Sequence, residues 1–156
     1  GALPVLTLLY AVSLLLVRWV RIIYREVRKW YFGERVVGYV KVKASLGDPK
    51  RMRVKDVELL VDTGSYYTVI PPCLADELGI KPVAEAEVVL ADKRMVKMAL
   101  SYAYLKLLDR EGVLPVGIMD VPEPIVGVTA LEGLGVKVDP ATGRLEYSRP
   151  YGLALL

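Results

Sequence analysis

Val57-Glu58-Leu59-Leu60-Val61-Asp62-Thr63-Gly64-Ser65-Tyr66-Tyr67-Thr68-Val69-Ile70 is the stretch that decides the fold. An apolar strand delivers one carboxylate, Asp62, into a tight turn, and a second strand-like run follows. Gly64 reaches backbone angles that are costly for other residues. Thr63 and Ser65 bring short hydroxyls able to bond the backbone or the carboxylate. A carboxylate at the mouth of a loop between two buried strands is expensive unless it is hydrogen-bonded or paired. That cost alone makes Asp62 a candidate site residue.

Working outward, Pro71-Pro72-Cys73-Leu74-Ala75-Asp76-Glu77-Leu78-Gly79 reads as a short helix, with proline at its start and glycine at its end. The rest reads as short strands: residues 35–44, 53–61, 85–90, 95–100, 103–108 and 114–119. Turns are expected at 46–50, Asp92-Lys93 and 109–112. Residues 130–134 predict a second short helix, and 136–138 and 144–147 a hairpin around Asp139-Pro140-Ala141-Thr142-Gly143. Many short strands with frequent turn signals predict a mainly β, barrel-like domain.

At 156 residues the chain suits one small domain plus an appendage. Residues 1–35 carry six Lys/Arg against two Glu, a net of +4. Residues 36–156 carry 15 Lys/Arg against 16 Asp/Glu, a net of −1. The basic surplus is therefore N-terminal, and the remainder has no nucleic-acid footprint. There is no histidine, which excludes Ser-His and Cys-His catalysis and any His-liganded metal. The lone cysteine, Cys73, cannot close an intrachain disulfide and is expected to be a buried, inert thiol.

Leu59 to Pro82 resembles the retropepsin-like aspartic peptidases: strand, D-T-G-[ST], strand, short helix. A later element, Ile125-Val126-Gly127 running into Val128-Thr129-Ala130-Leu131, resembles the family's second motif. The resemblance spans roughly residues 35 to 148 and is closest to small single-motif prokaryotic members. It implies a retropepsin-like acid-protease barrel in which the Ile125-Val126-Gly127 strand packs beside the aspartate loop. Ala91-Asp92-Lys93-Arg94 holds the place of the substrate flap, although its tip lacks the glycine of viral relatives. One motif per chain implies a symmetric homodimer, each subunit giving Asp62 to a shared site. Thr63 would then brace the two loops, Gly64 shape the turn, and Ser65 donate to the outer carboxylate oxygen. The implied activity is that of an aspartic endopeptidase acting on an extended peptide or protein. Such chemistry requires no cofactor and no metal ion.

Residues 2–17 contain no charge. As a helix they would span about 24 Å, close to a hydrocarbon core of about 30 Å. Arg18, Arg21, Arg25, Arg28 and Lys29 follow, which by the positive-inside rule points to a single-pass membrane anchor with a cytoplasmic domain. Leu6, Leu9, Ser13, Leu16, Val20, Ile23, Val27 and Trp30 also follow heptad spacing. The helix could thus lie on lipid or pair with its twin. The expected division is residues 1–33 as anchor and 34–156 as peptidase domain. A membrane-anchored, non-catalytic peptide-binding module, or a purely structural β domain, remains the alternative.

Overall fold

The computed structural model describes residues 9, 11–23 and 40–152. The chain divides into two compact units, Gly1–Val36 and Val37–Leu156. The expected boundary at residue 33 lies outside the described residues. In the first unit, residues 11–23 form helix α1, with Leu14, Leu16, Trp19, Val20 and Ile23 exposed. Among the described residues no helix is long and apolar enough to cross a membrane. The expected transmembrane helix is therefore not found among them. Residues 2–8 and 10 of that run lie outside the described residues, as do Leu6, Val27 and Trp30 of the heptad stripe.

The second unit runs β1 (Lys41–Gly47), β2 (Val54–Val61), β3 (Thr68–Ile70), α2 (Pro72–Leu78), β4 (Ala84–Val89), β5 (Met95–Leu107), β6 (Arg110–Ile118), β7 (Ile125–Val126), α3 (Val128–Leu134), β8 (Val136–Val138) and β9 (Leu145–Tyr147). Seven strands form one sheet in the order β1-β2-β7-β3-β6-β5-β4, and β1 also pairs with β5, so the sheet turns back on itself. The strands β8 and β9 make a separate hairpin. The core gathers Leu46, Leu59, Val61, Ile70, Leu105, Leu107, Val126 and Leu134, all fully buried. In β2 the alternation is direct: Leu59 and Val61 are fully buried while Leu60 between them is partly exposed.

Both short helices end as their sequences suggest. Gly79 (φ 69°) and Gly135 (φ 68°) adopt the left-handed conformation that closes a helix C-terminus. Helix α2 buries Leu74, Ala75 and Leu78. Cys73 falls outside that stripe and is exposed, contrary to the buried thiol expected from sequence.

Other expectations also change. The two strands expected at 95–100 and 103–108 are one 13-residue strand. Ser101 does not interrupt it, because its hydroxyl donates to the Lys81 carbonyl at 2.5 Å and the buried side chain is satisfied. The turn expected at 109–112 contracts to Leu108-Asp109, since Leu107 pairs directly with Arg110. The strand β1 persists to Gly47. The turn after it is organised by Asp48, whose carboxylate accepts from the Lys50 and Arg53 backbone at 3.2 and 2.7 Å.

Arg110 ties the second sheet to the first. Its guanidinium donates to the carbonyls of Leu134, Gly135, Tyr151 and Arg149 at 2.6–3.2 Å, and lies 4.2 Å from the Tyr147 ring centre. Arg149 donates in turn to Glu132 and Gly133 at 2.5 and 2.8 Å.

A polar cluster joins β5 to β6. Tyr104 is buried and its hydroxyl donates to Glu111 at 2.5 Å, while Arg51 contacts the same carboxylate at 3.3 Å. The Tyr104 hydroxyl, aided by Arg51, holds the Glu111 carboxyl below its ordinary value of 4.5. A depressed folded-state value adds stability that is present above the unfolded value and lost as pH falls through the folded one. Thermal melts of wild type and Tyr104→Phe should therefore differ above about pH 4.5, wild type being the more stable. The gap should close progressively at lower pH, and a gap independent of pH would break the linkage to Glu111.

Candidate active site

The backbone N–H of Asp62 extends the β2–β7 pairing by donating to the Val126 carbonyl at 3.1 Å. The chain then turns. Ser65 N–H donates to the Asp62 carbonyl at 3.1 Å, and Gly64 N–H donates to Asp62 Oδ1 at 3.0 Å. The carboxylate thus accepts from its own turn, as short acidic side chains do in such loops. Asp62 is half-buried, whereas Thr63 and Gly64 are exposed. Strand alternation puts Asp62 on the face of Leu60, opposite the core-facing Leu59 and Val61.

Ser65 departs from expectation. Its single hydroxyl proton goes to the Tyr67 carbonyl at 2.7 Å, so Ser65 does not donate to Asp62 in this chain. The hydroxyl braces the loop instead. The Ser65 backbone has a second role, because its carbonyl accepts from Val128 N–H at 2.8 Å. The Tyr66 carbonyl accepts from Thr129 N–H at 3.2 Å and also from the Thr129 hydroxyl. The first N–H groups of α3 have no partner within their own helix. Here the aspartate loop supplies them.

Gly127 makes that approach possible. A Cβ there would stand 2.4 Å from the Tyr67 carbonyl oxygen and 2.7 Å from the Ser65 oxygen. Its N–H donates to Thr68 Oγ1 at 3.1 Å, and Thr68 is fully buried. Ile125 and Val126 pair in parallel with Leu60 and Val61, and Ile125 also faces Val69 of β3. Asp62, Thr63, Gly64 and Ser65 are therefore brought together with Ile125, Val126 and Gly127. Thr68 and Thr129 were missed from sequence. A buried threonine in a β-branched run gives no sign that its hydroxyl serves the backbone of another strand.

Ala91, Asp92, Lys93 and Arg94 form the tip of the β4–β5 hairpin, on the edge of the sheet. Leu90 N–H donates to the Arg94 carbonyl and Lys93 N–H to the Leu90 carbonyl, both at 2.9 Å. The Asp92 carboxylate accepts from the Arg94 backbone at 3.1 Å and its guanidinium at 2.5 Å, which together lower its pKa. Lys93 adopts φ 67°, the conformation that glycine occupies more cheaply.

A shallow groove of about 480 Å³ lies elsewhere, on β1, β2 and β5, between Lys43, Asp56, Glu58 and Lys106. It shares no residue with the aspartate loop, and its lining carries two charges of each sign. The loop carries half-buried Asp62 beside exposed Thr63 and Gly64. Among the described residues no group of three or more His, Cys, Asp or Glu could hold a metal ion.

Residues 42–143 match the aspartyl protease family. The chain belongs to that family. The fold is also that of the equine-virus enzyme described as EIAV protease complexed with the inhibitor HBY-793. The two share 18% identity at a TM-score of 0.50, over 64% of this chain and 90% of the viral one. At that identity the likeness speaks for the retropepsin-like fold. A comparison with curated proteins gives no match.

The Gly127 lock can be broken at two points. Thr68→Val keeps the shape but leaves the Gly127 N–H buried without an acceptor, and should cost about 1–3 kcal/mol. Gly127→Ala drives a Cβ into two carbonyls and should cost at least about 2 kcal/mol. Denaturant unfolding at neutral pH measures both. Costs below about 0.5 kcal/mol would show the contact to be slack.

Proposed function

We propose that the protein is an aspartic endopeptidase whose active form is a homodimer, with Asp62 of each chain facing the other across a two-fold axis. The observation that carries this reading is the aspartate turn itself. The aspartate accepts from Gly64 N–H at 3.0 Å and stands half-buried beside exposed Thr63 and Gly64. Peptide hydrolysis of this kind uses two carboxylates that share a proton. One takes a proton from water as it attacks the scissile carbonyl, and the other gives a proton to the carbonyl oxygen. In this reading the second carboxylate comes from a second copy of the chain.

In this reading Thr63 braces the two loops where they meet. The hairpin tip Ala91–Arg94 closes over an extended peptide, which is held by main-chain hydrogen bonds. Gly127 and Thr68 keep Asp62 in place without touching substrate. The uncharged N-terminal run, together with the basic residues after it, tethers the enzyme to a membrane with the peptidase unit on the cytoplasmic side.

Asp62→Asn should abolish cleavage of a peptide library while leaving the melting temperature and the dimer unchanged. Mixing the variant with wild type in excess should also silence wild type, because mixed dimers hold one ionisable group. Mass-spectrometric detection of products and sedimentation read both effects. Turnover unaffected by Asp62→Asn would overturn the peptidase reading. Retained peptide binding without any cleavage would favour the non-catalytic module.

A further inference from the structure

Tyr66 belongs to the aspartate loop, yet neither the buried core nor the loop's hydrogen bonds use its ring. It stands four residues after Asp62 and is 66% exposed. A scattered exposed aromatic needs no explanation. Three further observations set this one apart.

The first is pairing. The Tyr66 ring meets the ring of half-buried Tyr67 edge to face, with centroids 5.0 Å apart and planes at 84°. That arrangement is a favourable one for two aromatic quadrupoles, and it restricts where the Tyr66 ring can point. The second is the mounting. The Tyr66 carbonyl is held by the N–H and the hydroxyl of Thr129, and the Tyr67 carbonyl by the Ser65 hydroxyl at 2.7 Å. A tyrosine on such a backbone offers a large contact area with little flexibility left to lose. The third is charge. From Asp62 to Val69, and again from Ile125 to Thr129, Asp62 is the only ionisable acid or base apart from the two phenols.

The distances suit a peptide lying across Asp62. The Asp62–Ser65 turn holds its ends within about 7 Å, and Tyr66 is one residue farther, about 3.8 Å. An extended peptide advances about 3.3 Å per residue. Tyr66 therefore reaches a substrate side chain about two or three residues from the bond above Asp62. We propose that Tyr66, braced by Tyr67, determines specificity: it takes an aromatic or bulky apolar side chain at that place in the substrate. Apart from Asp62, the two segments that build the loop carry no charge to pair with a charged side chain, which would lose hydration there.

The proposal rests on the peptidase reading, and its test separates the two. Peptides identical except at the second and third residues on each side of the cleaved bond would carry Phe, Leu, Ala, Lys or Glu there. With the full chain, kcat/KM should fall at least about tenfold from Phe to Ala at one of these positions, the scale on which apolar pockets discriminate. Tyr66→Ala should bring the Phe and Ala peptides level, mainly through a higher KM for Phe. Tyr66→Phe should preserve the preference. A preference that survives Tyr66→Ala, or that favours Lys or Glu, overturns the proposal and leaves the peptidase standing. A Tyr66→Ala protein that sediments as a monomer where wild type is a dimer also overturns it, since a second copy would then cover the ring. A wild type that cleaves nothing in the set, indistinguishable from Asp62→Asn, overturns both readings together.

Discussion

Two peptide carbonyls, those of Ser65 and Tyr66, hold the functional end of the molecule together. They accept from the first N–H groups of α3, which no helix can satisfy by itself. Loop and helix lie some 60 residues apart in sequence, and each completes what the other lacks. The contact requires Gly127 to have no side chain, and the buried Thr68 hydroxyl accepts from the Gly127 N–H. The strands β2, β3 and β7 are then registered to one another by a few short bonds. Asp62 follows directly on that registration, its N–H bonded to the Val126 carbonyl.

The other end of α3 is treated in the same manner with opposite chemistry. Its last carbonyls are taken by two guanidinium groups, Arg110 from β6 and Arg149 from the C-terminal segment. Cations at a helix C-terminus also suit its dipole. A seven-residue helix has little stability by itself. This one is fixed at both ends by distant chain, so it serves as a peg between the sheet and the closing β8–β9 hairpin.

The aspartate turn and its partner strand were legible because their physics is local. Gly127, Gly79 and Gly135 each stand where a backbone turns or approaches closely, whereas Gly64, against expectation, does not take a left-handed backbone; the apolar runs around them alternate as strands do. Pro72 and Gly79 marked the ends of α2 for the same reason. The misjudged residues have partners that only the fold supplies. Ser101 looks like a break in β5 until the Lys81 carbonyl arrives to receive its hydroxyl. The Ser65 hydroxyl had two acceptors within reach, and sequence could not rank the Tyr67 carbonyl above the carboxylate. Cys73 sits one position away from a buried stripe, and a seven-residue helix is too short for periodicity to show which side is covered.

The pairing of β5 has a mechanical consequence. From Ala99 onward this strand is bonded to β6, and near its end to β1, whereas Met95 to Met98 pair with β4 alone. At about 3.4 Å per residue, the segment between Arg94 and Ala99 is a cantilever about 17 Å long, clamped at one end. Its free end is stiffened by the Asp92–Arg94 contacts, so bending has to concentrate at the clamp instead of the tip. Small rotations at Ala99 would be magnified along that arm. A bulky or charged substitution at the root of the hairpin should thus alter its swing more than any change at the four residues of the tip.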